Sequence, residues 1–318
     1  MVVSRPASDG ATTHPEVVEG ILLYLQNFGV AMKNVSIIES AWVGDDTRRA
    51  FKVCGYEDLR KRYGVSLHDL KSDKTTGLTF KGCRIDVCNR ALETGFLINV
   101  PVLKAHSQTR LTCCLKNLKG CIPDGEKRSF HSQGLHKPIA ALNGLLKTGY
   151  NVVDSVCGDL SFEEGGTPTY AGRVLVGRCP VMVDSFCAEL IGLRAEDVGY
   201  LELAESWGIG RYFSPQTSVI ELNASSKPTR EAKASRAAER YKKLIDEDGA
   251  CSACYAALVH ALHRSEGRLG SGKFHIGQGY RNKPGDGVGI GSCTKHSHVS
   301  IPGCPPKAVD IIEGVNKL

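Results

Sequence analysis

The sequence predicts an α/β fold, a mainly parallel sheet flanked by helices, and three observations carry that reading. Helical and strand patterns alternate along the first two thirds of the chain. The clearest strand, Phe96 to Val102, is a continuous apolar run of the kind buried on both faces of a parallel sheet. A chain of 318 residues with 42% hydrophobic content can also bury a large core without covalent staples.

The elements follow in order. Val17 to Asn27 has helical spacing, and Val35 to Ile38 is a short β-rich run. After Phe96 to Val102, the runs Asn151 to Asp154 and Arg173 to Val176 read as further strands, the second leading into a helix from Met182 to Ile191. A charged helix is expected from Thr229 to Asp246, a solvated connector that divides a core domain, 1–228, from a C-terminal region, 229–318. From Gly267 to Pro306 the chain is rich in Gly and Pro and poor in periodicity, so a bound group is expected to organise its loops. A last helix is expected from Lys307 to Val315.

The net charge of +6 is spread out, with no basic run of the nucleic-acid type. No apolar run reaches membrane-spanning length, and Met1-Val-Val-Ser-Arg-Pro6 lacks the regions of an export signal. The expected location is therefore the cytoplasm, with no membrane and no nucleic-acid partner. Thirteen cysteines in a reducing compartment point to thiolates that bind metal rather than to disulfides.

Four of these cysteines stand apart. Cys251-Ser-Ala-Cys254 precedes an apolar helix, Tyr255 to Leu262, where amide donors and the helix dipole favour anionic sulfur. Cys293 and Cys304 follow in Gly291-Ser-Cys293 and Gly303-Cys304-Pro-Pro306, glycine-rich turns that let backbone N–H groups approach sulfur. The second pair is too irregular for a zinc ribbon. These four are the expected ligands of a 4Fe-4S cluster; zinc and unligated thiols are the alternatives. Cys54, Cys83, Cys88, Cys113, Cys114, Cys121, Cys157, Cys179 and Cys187 lie in core-like segments and are expected not to ligate.

A second group of residues follows the Phe96 to Val102 strand. Lys104 and His106 are expected at its end on one face, and Thr109 or Thr112 to cap a helix that displays Lys116 and Asn117. With Arg110 and Lys119 they suit a carboxylate or phosphate; the alternative is a solvated helix face. Lys104, His106, His131 and His136 are the candidate catalytic residues; Thr109, Arg110, Lys116, Asn117 and Lys119 the candidate substrate-binding ones. Asp154, Glu163 and Glu164 read as an acidic loop, Asp184 as a cap or first-turn charge, and Asp45 and Asp46 as a cap or a site. Gly287-Val-Gly-Ile-Gly291 lacks a following helix, so no nucleotide fingerprint supports a flavin or nicotinamide.

The words Val100-Pro-Val-Leu-Lys-Ala-His106, Leu115-Lys-Asn-Leu-Lys-Gly120, Glu163-Glu-Gly-Gly-Thr-Pro168 and Val183-Asp-Ser-Phe-Cys-Ala-Glu-Leu-Ile-Gly192 resemble the domain of unknown function 362 family over most of the chain. Members are often joined to ferredoxin-like modules and are common in anaerobes, so the resemblance implies redox or cluster chemistry without naming a reaction. Relatives usually begin with a strand ending in Lys-Pro-Asn that is absent here, which implies either a start codon assigned downstream of the true one or an open sheet edge covered by a partner or a loop.

The expected function is thus an iron-sulfur oxidoreductase acting on a small anionic substrate, with a ferredoxin-like electron donor and homo-oligomerisation among its expected partners. The rivals are a non-redox isomerase or lyase with a structural cluster, and a non-enzymatic electron carrier or maturation protein.

Overall fold

The computed structural model describes residues 3–161, 165–222, 233–234, 237–266 and 273–317. Helix α1 (Pro15–Asn27) starts with proline at its first position, where no N–H partner is needed, and buries Val18 and Leu22. Strand β1 (Ser36–Glu39) follows, then α2 (Thr47–Val53), α3 (Tyr56–Tyr63) and β2 (Ser66–Asp69), which pairs with β1 in parallel. Asp46 caps α2 by accepting from Arg49 N at 2.7 Å, and Asp45 accepts from Ser4 Oγ at 2.7 Å, so both are structural.

Antiparallel β3 (Thr75–Phe80) and β4 (Cys83–Cys88) lead into the short α4 (Asn89–Leu92). The long apolar run expected at 96–102 forms only β5 (Ile98–Asn99) and an isolated bridge from Val102 to Asp154. Pro101 interrupts it, having no N–H to give to a ladder, while its carbonyl still accepts from Asp154 N at 2.8 Å. Then come antiparallel β6 (Lys104–His106) and β7 (Arg110–Thr112), α5 (Cys114–Asn117), α6 (Asp124–Ser132) and α7 (His136–Leu145).

Strand β8 (Tyr150–Asp159) pairs in parallel with β5 and antiparallel with β9 (Pro168–Gly177). Asp154 therefore lies within a strand, not in an acidic loop; its carboxylate accepts from His14 N and faces His14 Nδ1, both at 2.7 Å. Glu163 and Glu164 lie outside the described residues. Helices α8 (Pro180–Leu190) and α9 (Gly199–Ser206) complete the larger core, which gathers Leu111, Leu115, Phe130, Ile139, Val181 and Tyr200.

The charged helix expected at 229–246 falls partly outside the described residues; among the described ones the helix is α10 (Ala237–Tyr241), continued by a 3-10 turn (Lys242–Leu244), and Asp246 lies in strand β10 (Ile245–Glu247). The Gly-rich stretch that follows is also more regular than expected. Strands β11 (Phe274–Ile276), β12 (Gly285–Ile290) and β13 (Ser297–Ile301) join β10 in a four-stranded parallel sheet, and α11 (Ser252–Arg264) and α12 (Ala308–Val315) pack on it around a separate core containing Leu258, Leu262, Phe274, Ile290 and Ile311. The pattern was hard to see because strands of three to six residues containing Gly285, Gly287 and Gly289 carry little alternation. Parallel pairings outnumber antiparallel ones among the described strands, five to three, and no helix of the described residues is long and apolar enough to cross a membrane.

Candidate functional site

The four singled-out cysteines come from three loops that the C-terminal sheet brings to one corner. Cys251 occupies the N-cap position of α11 and Cys254 its first turn. Cys293 and Cys304 follow the ends of β12 and β13, and their loops are zipped together: Gly291 N donates to Ile301 O and Ser292 N to Gly303 O, both at 2.8 Å. A Cβ on Gly291 would lie 3.5 Å from Cys254 Sγ, so the second loop packs directly against the first pair. Gly303, at φ 138°, holds a conformation suited to glycine, and a Cβ there would sit 2.5 Å from Pro306 Cα. The chain can turn into Cys304 only with no side chain at that point.

Cations surround these thiols. Burial, with the neighbouring Cys293 and Cys304, pushes the Cys251 thiol up, and Arg128 and Lys119 oppose the shift. Arg281 bonds the Cys293 sulfur, which raises the guanidinium's own proton affinity. Four sulfurs facing three cations suit an anionic thiolate group.

A cleft of about 100 Å³ lies between this corner and the larger core. Cys251, Cys254 and Cys304 line one side; Lys116, Asn117, Lys119, Lys127, Arg128 and His131 line the other. Its size admits a carboxylate-sized group rather than a drug-sized ligand. Lys119 Nζ lies 3.5 Å from His131 Nε2. Lys116 Nζ donates to Thr112 Oγ1 at 3.1 Å. Lys127 is buried, donating to Ser40 O and Ala41 O at 2.8 Å each; burial lowers its pKa, while Glu39 and Asp124 push the other way.

Asn117 opens a chain of buried amides. Its Nδ2 donates to Asn99 Oδ1 at 2.8 Å, Asn99 Nδ2 donates to Asn151 Oδ1 at 2.9 Å, and Asn151 Nδ2 donates to Arg178 O at 3.1 Å. The bonds run from β5 to β8 and fix the C-terminal end of α5 on the sheet.

Other expected residues lie elsewhere. Lys104, in β6, is 0% exposed and donates to Ala11 O at 3.0 Å; it does not border the cleft. His106 is buried beside the cysteine corner: its Nδ1 accepts from Gln108 N and Thr109 N, each at 3.0 Å, so Nε2 carries the proton and donates to Ser252 Oγ at 3.3 Å. Ser252 in turn donates to Gln108 Oε1 at 2.8 Å. His106 therefore positions the start of α11, between Cys251 and Cys254, instead of facing the cleft. Thr109 Oγ1 donates to Leu111 O, and Arg110 pairs with Asp197 and Glu239 on the surface. His136 stacks on Tyr200 away from the cleft, and burial lowers its pKa.

Neither Thr109 nor Thr112 caps α5. Asp184 does so from α8: its oxygens accept from Cys114 N at 2.7 Å and Leu115 N at 3.0 Å. The ligand atoms of Cys113, Cys114 and Asp184 lie within 4.8 Å of one another, all buried. Sequence reasoning missed Lys127, Arg128, Glu39 and Ser252 as neighbours of the site. The run Glu126-Lys127-Arg128 carries the only signal, and it looks like an ordinary helix face.

Two comparisons bear on identity. The chain matches the Synechocystis sp. (strain ATCC 27184 / PCC 6803 / Kazusa) protein described as thylakoid-associated protein sll1697, with 23% identity over 197 residues, 59% of this chain and 58% of that protein. The match thus spans less than two thirds of the relative's length. Residues 1–189 match the family described as Domain of unknown function (DUF362), a span that contains β1 to β9, the cation-lined wall of the cleft and the amide chain, and by that match the chain belongs to the DUF362 family.

Proposed function

We propose that this protein holds a 4Fe-4S cluster on Cys251, Cys254, Cys293 and Cys304 and acts as an oxidoreductase on a small anionic substrate. The observation that carries the reading is the cleft itself, in which cysteines of the C-terminal unit and cations of the larger core face each other. Thiolates of a cubane each bind a different iron and stand farther apart than the ligands of a single ion, which suits four cysteines spread over three loops. Such a cluster supplies single electrons. Lys116, Lys119 and Arg128 supply positive charge for an anionic group, and His131, the one of the three candidate histidines that borders the cleft, is the proton donor.

Anaerobic purification followed by iron and acid-labile sulfide analysis with EPR tests the proposal. The expected result is about four irons per chain, as one cubane requires. Stoichiometric zinc without sulfide would refute it and favour the non-redox enzyme; a cluster with no anion binding at Lys116 would favour the electron carrier.

A further inference from the structure

A second group of thiols lies between α5 and α8. Cys113 and Cys114 sit at the start of α5, and Asp184 and Cys187, one turn apart on α8, face them. All four are 0% exposed, and none of them borders the cleft. Cys113 Sγ stands 3.8 Å from Cys114 Sγ, and Cys187 and Asp184 each hydrogen-bond the Cys113 thiol. The sequence expectation made these three cysteines ordinary core residues. A buried cysteine alone packs as a small apolar side chain, but three beside a buried carboxyl group form a polar knot that the core must neutralise.

The spacing of the knot is that of ligands around one ion. Two sulfurs held about 2.3 Å from a tetrahedral ion stand about 3.8 Å apart, the distance between Cys113 and Cys114. An Asp184 oxygen lies within 4.8 Å of both sulfurs, so small side-chain shifts centre all three on one point. The charge balance agrees. Asp184 meets the backbone N–H groups of Cys114 and Leu115 and the thiols of Cys113 and Cys114, and no lysine, arginine or histidine is among those partners. Cys113, Cys114 and Cys187 belong to the larger core, where an anionic group is costly unless a cation joins it.

We infer that Cys113, Cys114, Cys187 and Asp184 form a closed binding site for one zinc ion, separate from the proposed cluster and independent of it. Thiolates select zinc, copper(I) or iron-sulfur. The carboxylate, a hard oxygen donor, suits zinc and not copper(I), and ligand atoms crowded within 4.8 Å suit a single ion rather than a cubane, whose thiolates bind different irons. Each Asp184 oxygen has a second lone pair, so the carboxylate binds the ion while still accepting from Cys114 N and Leu115 N, and those two bonds orient it. Thiol protons leave to solvent as the ion binds. With four protein ligands the site keeps no open position and is structural: it ties α5, which carries Lys116 and Asn117, to α8. Lying wholly inside the core, it loads as the chain folds.

The test is zinc content and zinc-edge X-ray absorption of the full chain refolded with zinc, in a background carrying Cys251→Ala and Cys304→Ala so that the cleft cysteines cannot hold a cluster. The expected result is about one zinc per chain, with a shell of three sulfurs at about 2.3 Å and one oxygen at about 2.0–2.2 Å. Cys113→Ser and, separately, Cys187→Ser keep side-chain size. Each should weaken zinc binding at least tenfold against a competing chelator and take one sulfur from the shell, while the circular dichroism spectrum stays unchanged. Where a serine variant fails to fold, the sulfur count of the background protein still decides, because three sulfurs exceed the two that Cys254 and Cys293 supply. Three outcomes would overturn the inference: no zinc in the refolded background, a shell with fewer than three sulfurs, or zinc held equally by both serine variants. The cluster reading stands or falls separately, on iron and sulfide in the wild-type chain.

Discussion

Replacing Asp184 tests how the cleft is built, because one carboxylate of α8 fixes the start of the short helix that carries Lys116 and Asn117. Asp184→Ala removes the acceptor of two buried N–H groups, those of Cys114 and Leu115. An unsatisfied buried donor costs about 1–3 kcal/mol, so the two together cost about 2–6 kcal/mol, a large share of a typical stability of about 5–15 kcal/mol. Asp184→Asn keeps one acceptor oxygen and should cost about 1–3 kcal/mol. Urea denaturation gives the loss of stability, and amide exchange at Cys114 and Leu115 gives its location, since each 1.4 kcal/mol of local destabilisation is about a tenfold faster exchange. The pH dependence has a definite sign. Burial, and then the charge of Cys113, raises the Asp184 carboxyl well above its ordinary range. Its contribution is therefore complete below the unfolded value of about 3.9 and is lost as the pH climbs through the raised folded value, so the gap between wild type and Asp184→Asn narrows with rising pH. An Asp184→Ala protein within about 0.5 kcal/mol of wild type, with unchanged exchange at both amides, would refute the reasoning.

Three further outcomes are expected. Lys104→Ala should cost about 2–4 kcal/mol in denaturant unfolding, since it leaves a void and removes a buried donor to Ala11 O; a loss of anion affinity with no loss of stability would return Lys104 to the site. Gly303→Ala should lower bound iron per chain at least severalfold, because the new Cβ collides with Pro306 and displaces Cys304, and a full iron complement would count against the loop geometry. In metal-free protein Cys251 should be alkylated slowly by iodoacetamide until the pH passes the ordinary thiol range, as burial and its neighbouring thiols raise its pKa; mass spectrometry showing alkylation of Cys251 as fast as that of a model thiol at pH 7 would contradict this.

Local signals found the first helix, the first strand and the helix after Arg173–Val176 within a few residues, because apolar spacing and a β-rich run mark them in the chain itself. Cys251-Ser-Ala-Cys254 stands out for the same reason, as a local word. What stayed hidden depends on contacts distant in sequence. His106 reads as a cleft residue until Ser252, 146 positions away, is seen to hold its Nε2. Lys104 reads as a catalytic candidate at a strand end because lysine is seldom buried, and only Ala11, 93 positions earlier, shows where its ammonium goes. Asp184 reads as a cap for its own helix but serves another, 70 residues back.

The three linked carboxamides also have a polarity, and it reaches the ligand. At the far end the acceptor is the backbone carbonyl of Arg178, which cannot turn round, so Asn151 must direct its nitrogen there and its oxygen back toward Asn99. The same choice passes to Asn99 and then to Asn117, whose nitrogen gives an N–H inward to Asn99 while the residue itself lines the cleft. A compound entering the cleft thus meets, beside the cations Lys116 and Lys119, an amide that cannot flip to suit it. A ligand must fit the orientation the chain imposes, since turning Asn117 over to suit it would break the bond to Asn99.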